Sequence, residues 1–197
     1  MATFYISSTF EDLKECRAAV STTLRQMGHQ VEGMENYTAD GRAPLEKCLD
    51  DVAKCHAYIG VLAWRYGYVP REGNLKKLSI TELEYREARR LGRETLIFIL
   101  DKDADWPGNR YDEDRKRIIR LRKELEERHT VSHFKDCNEL AARVSVVVSK
   151  RFPSVEDERL PPPLPSPPPP PLPWKWLVVA AAVAVLAFVG YRVKSTY

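Results

Sequence analysis

The sequence predicts an α/β domain in which a parallel sheet of five strands is covered by helices on both faces. Short apolar runs rich in β-branched and aromatic residues alternate with longer amphipathic stretches, and turn-forming residues separate them. This alternation is typical of parallel sheets whose two faces are covered by helices. The length of 197 residues, with 44% hydrophobic and 30% charged residues, suits one such domain followed by a smaller part.

Five strands and five helices are predicted in strict alternation. We expect strands at residues 3–7, 30–35, 57–63, 94–100 and 130–134, and helices at residues 9–27, 45–54, 79–92, 112–128 and 136–152. Crossovers between parallel strands are right-handed, and five strands suit the flavodoxin-like order 2-1-3-4-5. In that order, the carboxyl ends of strands 1 and 3 and the start of the third helix converge on one site.

The first strand turns directly into the first helix. Residues 3–7 form an apolar, β-rich run, and Ser8 and Thr9 follow with capping-box spacing to Glu11 and Asp12. The free N–H groups at a helix start can also hold an anionic ligand. The pattern therefore leaves two roles open for Ser8 and Thr9, helix capping and ligand binding.

An aromatic and cationic stretch follows the clearest buried strand, residues 57–63. Trp64, Arg65 and Tyr66 come directly after that strand. Aromatic rings stack on planar ligands, and an arginine binds anions. These three residues are a candidate ligand platform at the strand end. The alternative is that the aromatic rings only pack the loop onto the core.

The third helix carries two carboxylates on the side that should be buried. Ser79 is a suitable N-cap, and Glu82 completes a capping box and should point away from the sheet. The apolar residues of the arc that should face the sheet are Ile80, Leu83, Ala88 and Leu91. Glu84 and Glu87 fall inside this arc, where a carboxylate is costly unless it is paired. One of them is a functional candidate or the partner of an arginine, and the pattern does not decide which.

Charge and cysteine usage exclude several classes of function. A net charge of +3 is too small to indicate nucleic-acid binding. The basic run in helix 112–128 indicates a solvated face or, alternatively, a surface attracted to anionic lipid. The four cysteines lie far apart, without metal-binding spacing, at Cys16, Cys48, Cys55 and Cys137. We expect reduced thiols in a cytosolic domain, and neither a metal nor a cofactor.

The composition changes twice beyond the domain, which we place at residues 1–152. Eleven of the fourteen prolines lie in residues 153–173, which predicts a polyproline spacer, with an SH3-type ligand as the alternative. Residues 174–194 are largely apolar and are bounded by tryptophans, a tyrosine and cations. This pattern predicts a single transmembrane helix. Because the N-terminus carries no secretory signal, we expect the domain to stay in the cytoplasm, tethered to membrane lipid.

Three motifs together resemble an uncharacterised TIR-like domain of unknown function. They are FYISSTFEDL at residues 4–13, GVLAWRYG at residues 60–67 and SITELEY at residues 79–85. The resemblance covers about residues 1–150. Domains of this type often open bacterial and animal proteins that carry NACHT-type ATPase modules and TPR repeats.

The third helix has a second, more distant resemblance. Glu84, Ala88 and Gly92 match the spacing of a helix motif in nucleoside deoxyribosyltransferases, in which the glutamate is the nucleophile at the anomeric carbon. TIR domains that cleave NAD use a glutamate on the equivalent helix. The resemblance implies Glu84 rather than Glu87 as the nucleophile. It also implies that Ser7, Ser8 and Phe10 lie where such enzymes bind the ribose and the base.

Three functions are consistent with these features. The first is a membrane-anchored glycosidase of NAD or a related nucleotide, with Arg65 on phosphate, Trp64 or Tyr66 on the base, and activation by clustering or a partner in antiviral defence. The second is a non-enzymatic oligomerisation or adaptor module, which self-associates or docks on a signalling protein. The third is a nucleotide sensor that binds without turnover. In the first and third cases, Ser7, Ser8, Thr9 and Ser79 lie at the expected nucleotide site.

Overall fold

Strand β1 lies inside a five-stranded parallel sheet in the computed structural model, which describes residues 1–34 and 43–153. The strands are β1 (Thr3–Ser7), β2 (Gln30–Glu32), β3 (Ala57–Leu62), β4 (Glu94–Leu100) and β5 (Ser132–Phe134). Their order is β2-β1-β3-β4-β5, and every neighbouring pair is parallel. The prediction of a flavodoxin-like α/β sheet is confirmed.

Five α-helices connect and follow the strands. They are α1 (Phe10–Gln26), α2 (Pro44–Lys54), α3 (Ile80–Arg90), α4 (Lys116–Arg128) and α5 (Cys137–Arg151). Helix α4 begins four residues later than predicted. Asp112, expected inside that helix, instead accepts the backbone N–H of Tyr66 at 2.6 Å. This contact ties the segment before α4 to the loop that follows β3.

The side chains of the sheet pack into two separate hydrophobic cores, one on each face. Phe4 and Ile6 point to the face covered by α1 and α5, whereas Tyr5 points to the face covered by α2, α3 and α4. This division follows from the alternation of side chains along a strand. Strand β3 is buried along its whole length, as expected for a central strand with helices on both faces.

The buried face of α3 differs from the predicted apolar arc. Ile80, Leu83 and Leu91 are only partly buried. The buried residues are Thr81, Glu82, Glu84, Tyr85 and Ala88. The face that packs on the sheet is therefore rotated relative to the apolar arc, because its polar members find partners in the protein interior.

Helices α1 and α5 are joined by a disulfide between Cys16 and Cys137, which corrects the expectation that all cysteines are reduced thiols. These residues are 121 positions apart in the chain, but the two helices pack side by side and bring their Cα atoms to 4.4 Å. Sequence spacing does not reveal such a pairing. Cys48 and Cys55 are free and buried.

The two predicted segments that follow the domain lie almost entirely outside the described residues. This applies to the proline-rich linker after Pro153 and to the transmembrane helix at residues 174–194. Within residues 1–34 and 43–153, no helix has both the length and the apolar character needed to span a membrane. Most of the loop expected at residues 36–44 also lies outside the described part.

Candidate functional site

Glu84 lies on the face of α3 that packs on the sheet, and it is only 2% exposed. The Tyr5 hydroxyl donates a hydrogen bond to Oε1 of Glu84 at 2.7 Å, and the Ser7 hydroxyl donates to Oε2. Tyr5 and Ser7 are two positions apart on β1, so their side chains lie on the same face of the sheet. One carboxylate therefore joins this strand to α3 through two hydroxyl donors.

The pKa of Glu84 is raised above its ordinary value, because burial disfavours the charged carboxylate. The hydrogen bonds from Ser7 and Tyr5 and the positive charge of Arg17 act in the opposite direction. Burial, and then the charge of Glu84, raise the pKa of Tyr58 well above that of an ordinary tyrosine. A carboxyl group with a raised pKa can exchange a proton closer to neutral pH than an exposed glutamate can.

The two other glutamates of α3 have different surroundings. Glu87 is partly exposed and forms an ion pair with Arg90 at 2.6 Å, and the hydrogen bond from this arginine lowers the pKa of the Glu87 carboxyl. Glu82, predicted to point away from the sheet, is 1% exposed. It accepts hydrogen bonds from the Tyr66 hydroxyl at 2.5 Å and from Arg86 at 2.8 Å. The burial of Glu82 was not predicted from the sequence, because these partners come from the β3 loop and the next helical turn.

A cleft of about 450 Å³ lies at the carboxyl ends of β1 and β3, beside the first turn of α3. We refer to it as the carboxyl-edge cleft. The residues that line it are Ser8, Thr9, Phe10, Glu11, Met34, Arg65, Gly67, Tyr68, Ile80, Thr81 and Asp112. The strand ends and the helix start thus converge as the predicted topology requires. In open parallel sheets, this edge is where ligands bind.

Glu84 lies behind the wall of this cleft rather than in it. Ser8 lines the cleft and follows Ser7, which donates to the Glu84 carboxylate. Thr81 also lines the cleft, and it precedes Glu84 by three residues on α3, which places the two on neighbouring turns. Residues close to Ser7 and Glu84 in the sequence therefore line the cleft, whereas the Glu84 carboxylate does not.

Among the described residues that line the carboxyl-edge cleft, Arg65 is the one cation. Its guanidinium pairs with the Glu11 carboxylate and reaches the backbone oxygen of Asn109 at 3.4 Å. Glu11 is largely exposed, whereas Arg65 is mostly covered. A neighbouring carboxyl, that of Asp12, is 2% exposed, and burial raises its pKa. The arginine, itself mostly covered, is thus held by an acidic side chain that is open to solvent.

Two residues of the predicted aromatic platform contact other protein groups. Trp64 lies under the Arg122 guanidinium at 3.9 Å and stacks with Tyr111 at 6.0 Å. Tyr66 is buried, and the Arg117 guanidinium lies 4.1 Å from the centre of its ring. Neither Trp64 nor Tyr66 lines the cleft. Their part in binding a nucleotide stays a prediction.

The exposed aromatic residues at the cleft are Phe10 and Tyr68. They are 47% and 70% exposed, and both line the cleft. Phe10 was among the predicted site residues, whereas Tyr68 was not. A signal for Tyr68 was present in the sequence, because it lies two residues beyond Tyr66 in the same aromatic stretch. Gly67, between the two tyrosines, has a φ of 90° and interrupts the extended backbone, and Tyr66 is buried whereas Tyr68 is exposed.

Ser79 caps α3, and Gly67 lets the neighbouring loops approach each other. The Ser79 hydroxyl accepts the backbone N–H of Glu82 at 3.3 Å, and the residue is fully buried. Gly67 has a φ of 90°, and a Cβ added there would lie 2.9 Å from Cγ2 of Thr9. A glycine is therefore required where the β1 and β3 loops meet. Ser79 caps α3 and does not line the cleft, whereas Thr9 does.

The described residues include no group of three or more histidine, cysteine, aspartate or glutamate side chains arranged to hold a metal ion.

The chain is similar in fold to several solved domains. The Clostridium botulinum CMP N-glycosidase BcmB is 14% identical, with 74% of this chain and 98% of that chain covered and a TM-score of 0.46. The TIR domains of the activated Roq1 resistosome are 10% identical, with 77% and 100% covered and a TM-score of 0.49. A prokaryotic SEFIR domain is 16% identical, with 64% and 97% covered and a TM-score of 0.40.

Sequence comparison gives one family. No curated protein matches the chain in sequence. A family model described as "Domain of unknown function (DUF4062)" matches residues 3–149, which is nearly the whole of the domain described above.

Proposed function

We propose that this chain, which belongs to the DUF4062 family of domains of unknown function, binds a nucleotide in the carboxyl-edge cleft and cleaves its N-glycosidic bond. The observation that carries this proposal is the buried carboxylate of Glu84 directly behind the cleft, held by Tyr5 and Ser7. Buried carboxyl groups with raised pKa values gather at functional sites. The resemblance of the Glu84 helix to nucleoside-cleaving enzymes supports the same assignment.

The reaction is a hydrolysis at the anomeric carbon of the sugar. The bond between C1′ and the base nitrogen breaks, and the base leaves with the bonding electrons. A positive charge develops on the sugar in this step, and the Glu84 carboxylate stabilises it. A water oxygen then bonds to C1′, and Glu84 accepts the proton that the water loses. With NAD, the base leaves as neutral nicotinamide, the other product is ADP-ribose, and the proton on Glu84 passes to solvent. An uncharged pyrimidine base leaves as an anion and takes up that proton.

Access to Glu84 requires a local rearrangement. The Ser7 hydroxyl donates a hydrogen bond to one oxygen of the buried carboxylate. A ribose hydroxyl can replace the Ser7 hydroxyl as donor if the serine side chain rotates about its single χ1 torsion. The sugar would then lie against Ser8 and Thr81, which already line the cleft. The rearrangement breaks the hydrogen bond between Ser7 and Glu84 and forms one between the ribose hydroxyl and Glu84, so the carboxylate keeps the same number of donors.

The cleft offers separate contacts for the other parts of a nucleotide. Phe10 and Tyr68 present exposed rings on which a base can stack. Arg65 can hold a phosphate group once the Glu11 carboxylate moves aside. Thr9, at the start of α1, can donate its hydroxyl to the same phosphate. NAD has all of these parts, and we propose it as the first substrate to test.

The wider setting of the activity rests on the sequence. We propose that residues 174–194 anchor the domain in a membrane with the domain in the cytoplasm, and that self-association switches the activity on in antiviral defence. An NAD-cleaving enzyme that was always active would be toxic, so a trigger is needed. Association with membranes that resists alkaline carbonate, is released by detergent and is lost when residues 174–194 are deleted would support the anchor; a full-length chain that stays in the soluble fraction would oppose it.

A second candidate function is favoured by the environment of Glu84 itself. The carboxylate is 2% exposed and both oxygens accept hydrogen bonds, as in a purely structural buried glutamate. In that case the domain is an adaptor or oligomerisation module, or a sensor that binds a nucleotide without turnover. Binding with no product supports the sensor, and self-association with no nucleotide binding supports the adaptor.

The experiment is a nucleotide turnover assay with the full-length protein in lipid nanodiscs, at low and high surface density. NAD, NADP, pyrimidine nucleotides and nucleosides are offered, and the free base is quantified by chromatography. Base release by the native protein supports the glycosidase. If a folded protein releases no base at any surface density, the glycosidase is excluded. Measurements of nucleotide binding and of self-association then distinguish the sensor from the adaptor.

A further inference from the structure

A buried arginine of α1 contacts a residue in the wall of the carboxyl-edge cleft. Arg17 lies on α1, beyond its first turn, and is 3% exposed. Its Nη1 atom donates a hydrogen bond to the hydroxyl oxygen of Ser8 at 3.0 Å. Ser8 itself is buried but lines the cleft. A guanidinium in the protein interior therefore holds the hydroxyl of a residue that a ligand in the cleft would touch.

The contacts of Ser8 determine which kind of hydrogen bond it can still form. A serine hydroxyl has one hydrogen to donate and two lone pairs that accept. The hydrogen is used on the backbone oxygen of Thr9, at 3.0 Å. One lone pair is used by Arg17, because a guanidinium has donors only. One lone pair remains, so Ser8 can accept a hydrogen bond from a ligand but cannot donate one.

A second acceptor lies next to Ser8. Ser7 precedes it in the chain and donates its hydroxyl hydrogen to Oε2 of Glu84. The ionised carboxylate, which is the form that the proposed reaction uses, accepts hydrogen bonds and donates none. A ligand group that replaces the Ser7 hydroxyl at Glu84 must therefore be a donor. The site thus requires two donors that lie close together on the ligand, one for Glu84 and one for Ser8.

The two adjacent hydroxyl groups of a ribose ring meet this requirement. They are carried by C2′ and C3′, and C2′ is bonded to C1′, the carbon that the proposed reaction places at Glu84. A 2′-deoxyribose has only one of the two donors. A phosphate oxygen or a carbonyl oxygen of a base is itself an acceptor, so neither can pair with Ser8. Because Ser8 directly follows Ser7, its partner belongs to the sugar rather than to the base.

We propose that the carboxyl-edge cleft selects ribonucleotides over 2′-deoxyribonucleotides, and that Arg17 imposes this selection by keeping Ser8 a hydrogen-bond acceptor. The inference rests on the nucleotide site proposed above and names the class of nucleotide that the site takes. Arg17 is a positioning residue, because it acts on the ligand through Ser8. Without its guanidinium, the Ser8 hydroxyl can rotate and donate to a ligand oxygen, and the requirement for a donor is lost.

The test measures nucleotide binding by the full-length protein in lipid nanodiscs. The probes are carbocyclic analogues of NAD and of cytidine monophosphate, in which a CH₂ group replaces the ring oxygen of the sugar beside the bond to be cleaved. This bond then stays intact, so binding is measured without turnover. Each probe is used with both hydroxyls, without the 2′-hydroxyl and without the 3′-hydroxyl. The readout is the ratio of the dissociation constant of a deoxy form to that of the parent.

We expect each deoxy form to bind the native protein about tenfold more weakly than the parent, because a protein acceptor loses its donor. Ser8→Ala should bring the ratio for one of the two deoxy forms close to unity. Ser21→Ala is the matched control, since Ser21 lies on α1 and does not line the cleft, and it should leave both ratios unchanged. Equal binding of all three forms to the native protein would overturn the proposal and leave the nucleotide site standing.

Two substitutions of Arg17 separate its effect on Ser8 from its effect on stability. Arg17→Lys keeps a side chain that only donates and should keep both ratios, whereas Arg17→Gln supplies an amide oxygen that accepts from Ser8 and should lower the Ser8-dependent ratio. Unfolded protein weakens the apparent binding of all three forms equally, so the ratio does not report stability. Native ratios in Arg17→Gln would overturn the role of Arg17. High native ratios without base release from NAD or cytidine monophosphate would contradict the glycosidase alone, and no binding of any probe would overturn both.

Discussion

The Tyr5 hydroxyl donates a hydrogen bond of 2.7 Å to Oε1 of Glu84, although the two residues are 79 positions apart in the chain. Together with the Ser7 hydroxyl, it fixes a carboxylate between β1 and α3, behind the carboxyl-edge cleft. Glu84 therefore holds α3 against the sheet, and it is also the candidate reacting group. Both can be tested separately.

Replacement of Tyr5 with Phe should destabilise the protein by about 1–3 kcal/mol, because a buried charged acceptor loses a donor. Urea unfolding at neutral pH measures the change in the free energy of unfolding. Tyr68→Phe is the matched control, since that hydroxyl belongs to an exposed ring. Equal stability of the Tyr5→Phe and native proteins would contradict the role given to this hydrogen bond.

Glu84 should make the stability of the protein depend on pH. Its pKa in the folded state is raised above the ordinary value of 4.5, so the folded state binds a proton that the unfolded state has lost. The contribution of this group is therefore fully present below about pH 4.5 and is lost as the pH rises through the raised pKa. The free energy of unfolding of the native protein should fall relative to Glu84→Gln across this window. A pH-independent difference would show that the pKa is not raised.

Gly67→Ala should be more damaging than an alanine at another glycine of similar backbone conformation. Gly67 and Gly73 both have positive φ, but only at Gly67 would the new Cβ meet a side chain, that of Thr9 at 2.9 Å. The positive φ alone costs about 1–2 kcal/mol in each variant. Thermal unfolding of both variants isolates the additional cost of the contact, and equal losses would indicate that the two loops are free to separate.

Reduction of the disulfide between Cys16 and Cys137 should lower the free energy of unfolding by about 2–5 kcal/mol, since the bond closes a long loop. The measurement is urea unfolding with and without a reductant. Cys137→Ser is the control, because its stability should not respond to the reductant. If the native protein also fails to respond and carries four free thiols by mass spectrometry, the bond does not form in solution.

Glu11→Gln should strengthen the binding of phosphate-bearing ligands by a few-fold, because an exposed carboxylate no longer competes for Arg65. A nucleoside without phosphate should bind equally well to both proteins. Titration calorimetry with a matched nucleoside and nucleotide makes this comparison. An equal gain for both ligands would mean that Glu11 acts by some means other than competition with phosphate.

The strand order could be predicted from the alternation of five strands with helices, and the burial of a glutamate on α3 could be predicted from the helical periodicity. Contacts between residues that are distant in the sequence could not be predicted in this way, because no local pattern marks them. The contact of Tyr5 with Glu84 and the pairing of Cys16 with Cys137 depend on which helix covers which face of the sheet. Glu82 shows the same limit, since its burial depends on Tyr66 from the loop after β3.

Some residues of the candidate site could likewise be predicted from the sequence, and others could not. Ser8, Thr9, Phe10 and Arg65 line the cleft because each lies within three residues of the carboxyl end of a strand. The exposure of Tyr68 and the burial of Tyr66 could not be read from composition, because the two tyrosines lie in one irregular loop. Only the path of that backbone decides which ring faces the cleft.

The most direct test of the central claim is the rate of base release from a nucleotide by the native protein, Glu84→Gln and Glu87→Gln. Glu87 lies on the same helix but pairs with Arg90 at the surface, so it controls for the loss of a carboxylate from α3. We predict that Glu84→Gln lowers the rate by at least about 100-fold while remaining folded, and that Glu87→Gln stays within about twofold of the native rate. A folded Glu84→Gln protein with the native rate would contradict the assignment of Glu84 as the reacting carboxylate.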